Sequence, residues 1–149
     1  MIEIRPSHGV SHHLTADHVR LDIIFGDARR LAAHDLPAAR AAFADFAAGL
    51  ERHIRVEEEL LFPPFDARGA MSGPTRVMTH EHRRIQQLLE VGRAALASGD
   101  ANGFAGAADE LGALLEEHNL KEERILYPRS DGILSLEECA AVVAALARS

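Results

Sequence analysis

The chain has 149 residues, 47% of them hydrophobic, and this size and composition suit one compact domain with a buried core. Its net charge is −7 at pH 7 and it has no basic tract, which argues against a nucleic-acid partner. A single cysteine, Cys139, excludes an internal disulfide, and neither a signal peptide nor a membrane-spanning apolar run is visible. We therefore expect a cytoplasmic protein with no membrane partner.

Apolar residues recur at three- and four-residue intervals along the chain, which is the periodicity of amphipathic helices. The pattern predicts four long helices and a short fifth, at about 11–33, 36–61, 74–97, 101–126 and 135–147. Asp35 and Asp100 stand where N-caps are expected, and Ser135 with Glu138 fits a capping box. Helix boundaries and helix caps thus agree.

Prolines and turn residues set the predicted helix ends. The second and fourth helices are expected to stop before Pro63 and Pro128, because an interior proline removes a backbone hydrogen bond. Ser72 and Gly73 lead into the third helix, which has Pro74 in its first turn. Short connections between long helices make neighbours antiparallel. The predicted fold is all-α, a single domain over 1–149 with an up-down-up-down four-helix bundle over about 11–128 and a short C-terminal helix.

The sequence contains an internal repeat. Residues 53–63 and 118–128 both fit the string H-x-x-x-E-E-x-x-L-F/Y-P. Upstream of this string, each half also has an acidic residue followed by histidine, at 17–18 and at 81–82. Helices one and three therefore correspond, as do helices two and four. We expect two helix hairpins related by a pseudo-twofold axis.

Each half supplies two histidines and one glutamate that can face the bundle interior, because residues four apart on a helix share a face. One layer across the core is predicted to contain six metal ligands: His18, His53, Glu57, His82, His118 and Glu122. Four imidazoles and two carboxylates suit iron or manganese, with zinc as an alternative. Each cation would take the two histidines of one hairpin, and both glutamates would bridge the pair. A bridging oxo or hydroxo group would leave one open position on each cation.

A lone histidine on a helix is more often a surface residue or a satisfied core residue than a ligand. The repeat favours the metal interpretation here, because leucine would fill a core better than a second buried copy of the same polar string. Burying imidazoles and carboxylates without partners would cost several kcal/mol each. A pair of metal ions removes that penalty.

With these strings, the chain resembles the hemerythrin-like domains of the HHE cation-binding family over about residues 11–128. The resemblance implies a four-helix bundle with two non-haem iron ions, joined by an oxo or hydroxo bridge. It also implies O₂ binding or sensing, iron handling, or chemistry on peroxide or nitric oxide. The family's metal ligands, matched by their positions in these motifs, correspond to His18, His53, Glu57, His82, His118 and Glu122 in this chain. Ferritin-like bundles differ, because their E-x-x-H motif has glutamate first.

The chain departs from oxygen-carrying hemerythrins at one position. Those proteins have a fifth histidine one helical turn before the histidine of the third helix, and here that position is Met78. A thioether is a poor ligand for ferric iron, so six protein ligands are expected, and the case for a reversible oxygen carrier is weaker. His80 is an alternative seventh ligand, although it should face away from His82. His8, His12 and His13 cluster before the first ligand. We expect them to form a solvated N-terminal turn, and the alternative is that one of them closes over the metals.

Several other polar residues keep two interpretations. Glu58 and Glu123 either accept hydrogen bonds from ligand histidines or pair with Arg and Lys of a neighbouring helix. Asp17 and Glu81 either lie at the surface or bond a ligand imidazole of another helix. Tyr127 is a candidate hydrogen-bond donor or radical-forming residue near the centre.

Three kinds of function compete on the sequence alone. The first is a module that binds O₂ or senses oxygen or iron. The second is an oxidoreductase that acts on hydrogen peroxide or nitric oxide, or an iron donor for iron–sulfur cluster repair. The third is a structural metal bundle, which the open coordination position argues against. The expected partner is a small diatomic molecule or peroxide, bound at a di-iron centre.

Overall fold

A computed structural model describes residues 9–69 and 73–148 of the chain. Within these ranges the structure is entirely helical, as predicted, with no strand. Seven α-helical segments are present: α1 (Val10–Leu31), α2 (Leu36–Val56), α3 (Phe62–Arg68), α4 (Gly73–Ala97), α5 (Ala101–Lys121), α6 (Tyr127–Ile133) and α7 (Leu136–Leu146). Two π-helical turns, Glu57–Leu61 and Glu122–Leu126, join α2 to α3 and α5 to α6.

The expected helix ends before Pro63 and Pro128 are wrong, because the helices continue through both prolines. In each π turn the hydrogen bond spans five residues, so Phe62 N–H donates to the Glu57 carbonyl, and Tyr127 N–H donates to that of Glu122. A new α-helical segment starts after each turn, and each proline lies in its first turn, where a missing N–H is tolerated. The helix after Glu122 therefore reaches residue 133, through residues predicted to form a loop.

The four long helices form an up-down-up-down bundle. Asp17 near the start of α1 contacts His53 near the end of α2, while Phe25 later in α1 stacks on Phe46 earlier in α2, so these helices are antiparallel. The same reversal holds for the other three neighbouring pairs. Helices α4 and α5 are joined by contacts of Glu81 with His118 and of Arg84 with Glu110.

The remaining two pairs join the hairpins. Helix α2 and the π turn after it contact α4 through Arg40 with Leu96 and Glu58 with His82. Helix α1 contacts α5 and the π turn after it through Arg29 with Ala108 and His18 with Glu122.

The predicted caps are present. Asp35 accepts a hydrogen bond from the Ala38 N–H, and Asp100 accepts one from the Gly103 N–H. Ser135 and Glu138 form the capping box that begins α7. This last helix packs against α1, α2 and the first π turn, a placement that the sequence left open. Ser72 lies outside the described residues, and none of the described helices is long and apolar enough to cross a membrane.

The core has two apolar clusters with a polar layer between them. One cluster occupies the end of the bundle with the α1–α2 and α4–α5 turns, and it includes Leu21, Phe25, Phe46, Ile85 and Leu111. The other occupies the opposite end beneath α7, and it includes Leu14, Leu61, Phe65, Met78 and Leu126. On α1, α4 and α5 the predicted metal ligands fall between the residues of these two clusters. The fold therefore places a belt of buried polar side chains across the middle of the bundle.

Helix α2 approaches α4 closely where Gly92 faces Phe43. A Cβ atom on Gly92 would lie 2.8 Å from Phe43 Cζ, and that ring is held by Phe46 and Phe104 with centroids 5.8 and 5.2 Å away. We expect Gly92→Ala to destabilise the fold by about 1–3 kcal/mol despite the better helix propensity of alanine. Gly106→Ala, with nothing within 4 Å of its Cβ, should stabilise by roughly 0.5–1 kcal/mol. Urea unfolding of both variants measures the change in the free energy of unfolding. A change of the same sign in both variants would contradict the close packing at Gly92.

Candidate metal centre

The six side chains predicted as ligands lie together in the polar layer. Glu57, Glu122 and His82 have no solvent exposure, and the three remaining histidines are 1–6% exposed. They form two groups of four, in which the ligand atoms lie within 4.8 Å of one another. The first donor group contains His18, His53, Glu57 and Glu122, and the second donor group contains Glu57, His82, His118 and Glu122.

Both glutamates belong to both donor groups. Glu57 Oε2 lies 3.4 Å from His53 Nε2, whereas its Oε1 lies 3.1 Å from His82 Nε2. Glu122 Oε1 lies 3.1 Å from His18 Nε2, and its Oε2 lies 3.4 Å from His118 Nε2. Each carboxylate therefore presents one oxygen to the histidines of each hairpin. This is the arrangement that two bridging carboxylates require.

All four histidines are held at Nδ1 by a carboxylate from another helix. The pairs are His53 with Asp17 at 2.8 Å, His118 with Glu81 at 2.9 Å, His18 with Glu123 at 3.0 Å, and His82 with Glu58 at 2.7 Å. An ionised carboxylate only accepts, so each ring donates from Nδ1–H and directs Nε2 into the layer. The open question about these acidic residues is settled, because each bonds an imidazole of a different helix.

Three of these outer carboxylates also bond a cationic side chain on the surface side. Asp17 accepts from Arg20 Nε at 2.9 Å, Glu58 accepts from Arg83 at 2.7 Å, and Glu81 accepts from Lys121 at 2.6 Å. Burial alone would raise the pKa of Asp17 and of Glu81, but their bonds to histidine and to Arg or Lys lower it below its ordinary value. Asp17 and Glu81 therefore stay ionised and keep the imidazoles of His53 and His118 in one orientation.

The two carboxylates shared by both donor groups, those of Glu57 and Glu122, dominate the electrostatics of the layer. Burial opposes charge on His53, but the charge of Glu57 and the bonds to Asp17 and Glu57 outweigh it and raise the pKa to about 10. Burial also opposes charge on His118, but Glu122, Glu57 and Glu81 outweigh it and raise the pKa of His118 to about 9. Burial would raise the pKa of Glu57, yet His53, Glu122 and His82 hold it well below its ordinary value. The layer therefore attracts positive charge strongly.

Three buried atoms of the second donor group have no hydrogen-bond partner: Glu57 Oε1, His82 Nε2 and Glu122 Oε2. Glu57 Oε1 and His82 Nε2 are 3.1 Å apart, but they are not oriented as a hydrogen bond. Each unpartnered buried polar atom costs about 1–3 kcal/mol. A cation among them would satisfy all three at once. The nitrogen and oxygen donors of this group therefore fit a bound metal ion.

The other histidines in the described ranges lie outside both donor groups. His80 is exposed and lines a surface groove with Glu58 and Arg83, so it is not placed as a seventh ligand. His12 is exposed and stacks edge-on with His13 at 5.4 Å, and His34 is exposed in the turn after α1. His8 lies outside the described residues.

Two neighbours of the centre differ from the simple repeat. Met78 is buried in the apolar cluster beneath α7, one turn before His82. The Tyr127 hydroxyl lies inside the first donor group, within 3.1 Å of all four of its residues. The sequence marked this tyrosine only as a candidate near the centre, because a single aromatic residue beside a proline is also typical of plain core.

Two surface grooves approach the layer. One lies between α1 and α5 and is lined by residues that include Leu21, Phe25, Leu115 and Glu123, and it reaches the ring of His18. The other lies between α3 and α4 and reaches Phe62 and Glu58, which bonds His82. The first groove is thus lined by a donor residue itself, and the second by two residues that contact the donor His82.

The family described as the hemerythrin HHE cation binding domain matches the chain over residues 9–130. This range includes both copies of the repeat and all six residues of the two donor groups. Comparison with curated proteins and with solved structures gave no significant match.

The outer carboxylates should control cation affinity through the imidazoles that they hold. In Asp17→Asn the amide can still accept from His53 Nδ1, but it no longer carries the charge that keeps the ring basic. We expect affinity for a divalent cation to fall by about 10–100-fold with little change in helix content. Asp45→Asn on the exposed face of α2 is the matched control and should bind as the wild type does. Equal affinities in calorimetric titrations of the two variants would show that Asp17 has no such role.

Proposed function

The chain belongs to the hemerythrin HHE cation-binding domain family, and we propose that it binds two non-haem iron ions through the six residues of its donor groups. Glu57 and Glu122 would bridge the two ions, His18 and His53 would hold one, and His82 and His118 would hold the other. The centre serves to bind O₂, or to sense or handle oxygen and iron. The observation that carries this proposal is the presence of both carboxylates in both donor groups.

The chemistry of the donors supports iron over the alternatives. Each donor group combines two imidazole nitrogens with two carboxylate oxygens, a mixture that suits iron and manganese. Structural zinc sites are usually closed by four ligands and rich in thiolate, whereas the only cysteine, Cys139, lies on α7. With six protein ligands for two ions, iron held by these residues would keep a position open for a small oxidant such as O₂, peroxide or nitric oxide. The grooves that reach His18 and Phe62 give such molecules a route inward.

A second function is favoured by Met78. The position one turn before His82 carries a buried thioether, which adds no good donor for ferric iron. The more open centre suits turnover better than reversible oxygen carriage. The alternative is therefore a di-iron oxidoreductase that decomposes hydrogen peroxide or nitric oxide, or a protein that releases iron for repair of iron–sulfur clusters. In either case the partner is a small molecule, and the acidic surface gives no attraction to nucleic acid.

The protein's own side chains perform three tasks around the iron pair. The outer carboxylates fix each imidazole with Nε2 inward, so the centre is preformed. The apolar clusters on either side limit water to the grooves, and they strengthen every charge interaction in the layer. Glu57 and Glu122 supply negative charge that stabilises the higher oxidation state of a bound metal. These tasks suit redox chemistry on a small ligand.

The assignment of ligands predicts a specific loss of iron. His118→Ala removes one nitrogen from the second donor group and leaves two buried carboxylates with fewer cationic partners. Bound iron, measured by metal analysis after purification in air, should fall well below a full pair per chain. His80→Ala, which alters an exposed histidine outside both groups, should keep the full pair and the near-ultraviolet spectrum. Full retention of iron by His118→Ala would contradict the ligand set.

The role of Met78 can be tested by restoring the missing histidine. In Met78→His an imidazole replaces a buried thioether one turn before His82, and it can take the position open to small ligands. We expect peroxide decomposition, followed by stopped-flow mixing, to slow relative to O₂ binding. Met78→Leu also replaces the buried thioether but adds no metal-binding atom, so it is the control. Equal rates in the two variants would remove the argument that rests on an open position.

A further inference from the structure

The two donor groups are chemically unequal because only one of them contains a hydroxyl group. Tyr127 Oη lies 2.6 Å from Glu57 Oε2 and 2.9 Å from Glu122 Oε1. The same oxygen lies 3.0 Å from His18 Nε2 and 3.1 Å from His53 Nε2. Tyr127 itself has no solvent exposure. Its hydroxyl therefore contacts every member of the first donor group.

The hydroxyl of Tyr127 meets two acceptor carboxylates and two imidazole nitrogens with a single proton of its own. Both carboxylates only accept, and the hydroxyl can donate to one of them at a time. Both histidines use Nδ1 to bond Glu123 and Asp17, so Nε2 is the ring atom that faces the hydroxyl, and a bound cation would take the place of any proton on Nε2. Metal–nitrogen and metal–oxygen bonds near 2.0–2.2 Å put neighbouring ligand atoms about 3 Å apart. The four distances around Tyr127 Oη, 2.6–3.1 Å, lie in the hydrogen-bond range and also suit ligand atoms that share one cation.

The second donor group has no such oxygen. The residue at the equivalent position of the repeat is Phe62, whose ring stacks on His82 with centroids 5.8 Å apart and planes 10° apart. All three atoms without a hydrogen-bond partner in this layer, on Glu57, His82 and Glu122, face this second group. A single hydroxyl thus separates two halves that otherwise match.

We propose that Tyr127 is a phenolate ligand of the cation held by the first donor group. This inference rests on the proposed function, because it requires a metal ion in that group. The phenolic proton leaves to solvent, and the oxygen gains a bond to the cation. The first ion then has five protein ligands and the second has four, so the position open to small molecules lies in the second donor group. A bound cation would favour the ionised form of the hydroxyl.

The composition of the chain makes this proposal directly testable. Tyr127 is the only tyrosine, and the chain has no tryptophan. The probe is ferric iron in the full chain, with metal content measured on the same samples. A phenolate bound to ferric iron gives a visible charge-transfer band and enhanced tyrosinate vibrations in resonance Raman spectra. We expect both signals in the wild type and their complete loss in Tyr127→Phe.

The repeat supplies a matched pair of variants. Tyr127→Phe introduces the residue that the first half already has at position 62, so the band per bound iron should disappear while four ligands remain in the first donor group. Phe62→Tyr places a hydroxyl beside the second donor group, and the band intensity per iron should rise. A wild type that binds a full pair of iron ions without tyrosinate vibrations would overturn the phenolate assignment and leave the iron-binding function standing. Failure of the wild type to bind iron would overturn both, and a band that survives in Tyr127→Phe would show that it is not a phenolate signal.

Discussion

Two fully buried carboxylates, on Glu57 and Glu122, are the constraint around which the middle of the bundle is organised. An ionised carboxylate between apolar clusters costs several kcal/mol unless positive charge or hydrogen-bond donors face it. Here imidazole rings from α1, α2, α4 and α5 face the pair, and each ring is backed by a second carboxylate nearer the surface. Three of those outer carboxylates are in turn bonded to Arg20, Arg83 and Lys121. Acid, imidazole, acid and surface cation thus follow one another outward, and the alternation keeps every charge beside an opposite or neutral partner.

The π turns link this constraint to the backbone. Glu57 and Glu122 are each the first residue of a π turn, and the ligand histidine of the same string lies in the α-helix just before it. A π turn inserts one residue into the helix and changes the direction of the side chains that follow. Phe62 and Tyr127, which come directly after the turns, are thereby brought against the rings of His82 and His18. Pro63 and Pro128 are tolerated because a new helical segment begins just before each of them. The proline of the repeated string therefore indicates a π turn and not the end of a helix.

Much of this arrangement could be predicted from the sequence, and the missing parts have a physical reason. Helix periodicity, the caps at Asp35, Asp100 and Ser135, and the doubled string were enough for the bundle and for the six side chains in its middle layer. The continuation through Pro63 was missed because helix rules treat proline as a break, and no local signal separates a π turn from a stop. The partners of the four imidazoles were left open because the choice depends on the register between helices, which spacing along one helix does not specify. Tyr127 was underrated for the same reason, since its hydroxyl contacts residues of α1, α2 and both π turns.

A symmetric repeat usually gives two equivalent halves, and here the scaffold is symmetric while the chemistry is not. The histidines, glutamates and outer carboxylates of the two hairpins match position by position, and so do the π turns. The aromatic residue after each turn differs by one oxygen, which in one half fills the space among four donors and in the other is absent. Two identical half-centres would bind a small ligand with equal preference at either cation. The half with the additional oxygen has its donor atoms in contact with that hydroxyl, whereas all three unpartnered buried atoms of the layer lie in the other half. A difference of one hydroxyl therefore makes the two halves of a symmetric scaffold chemically unequal.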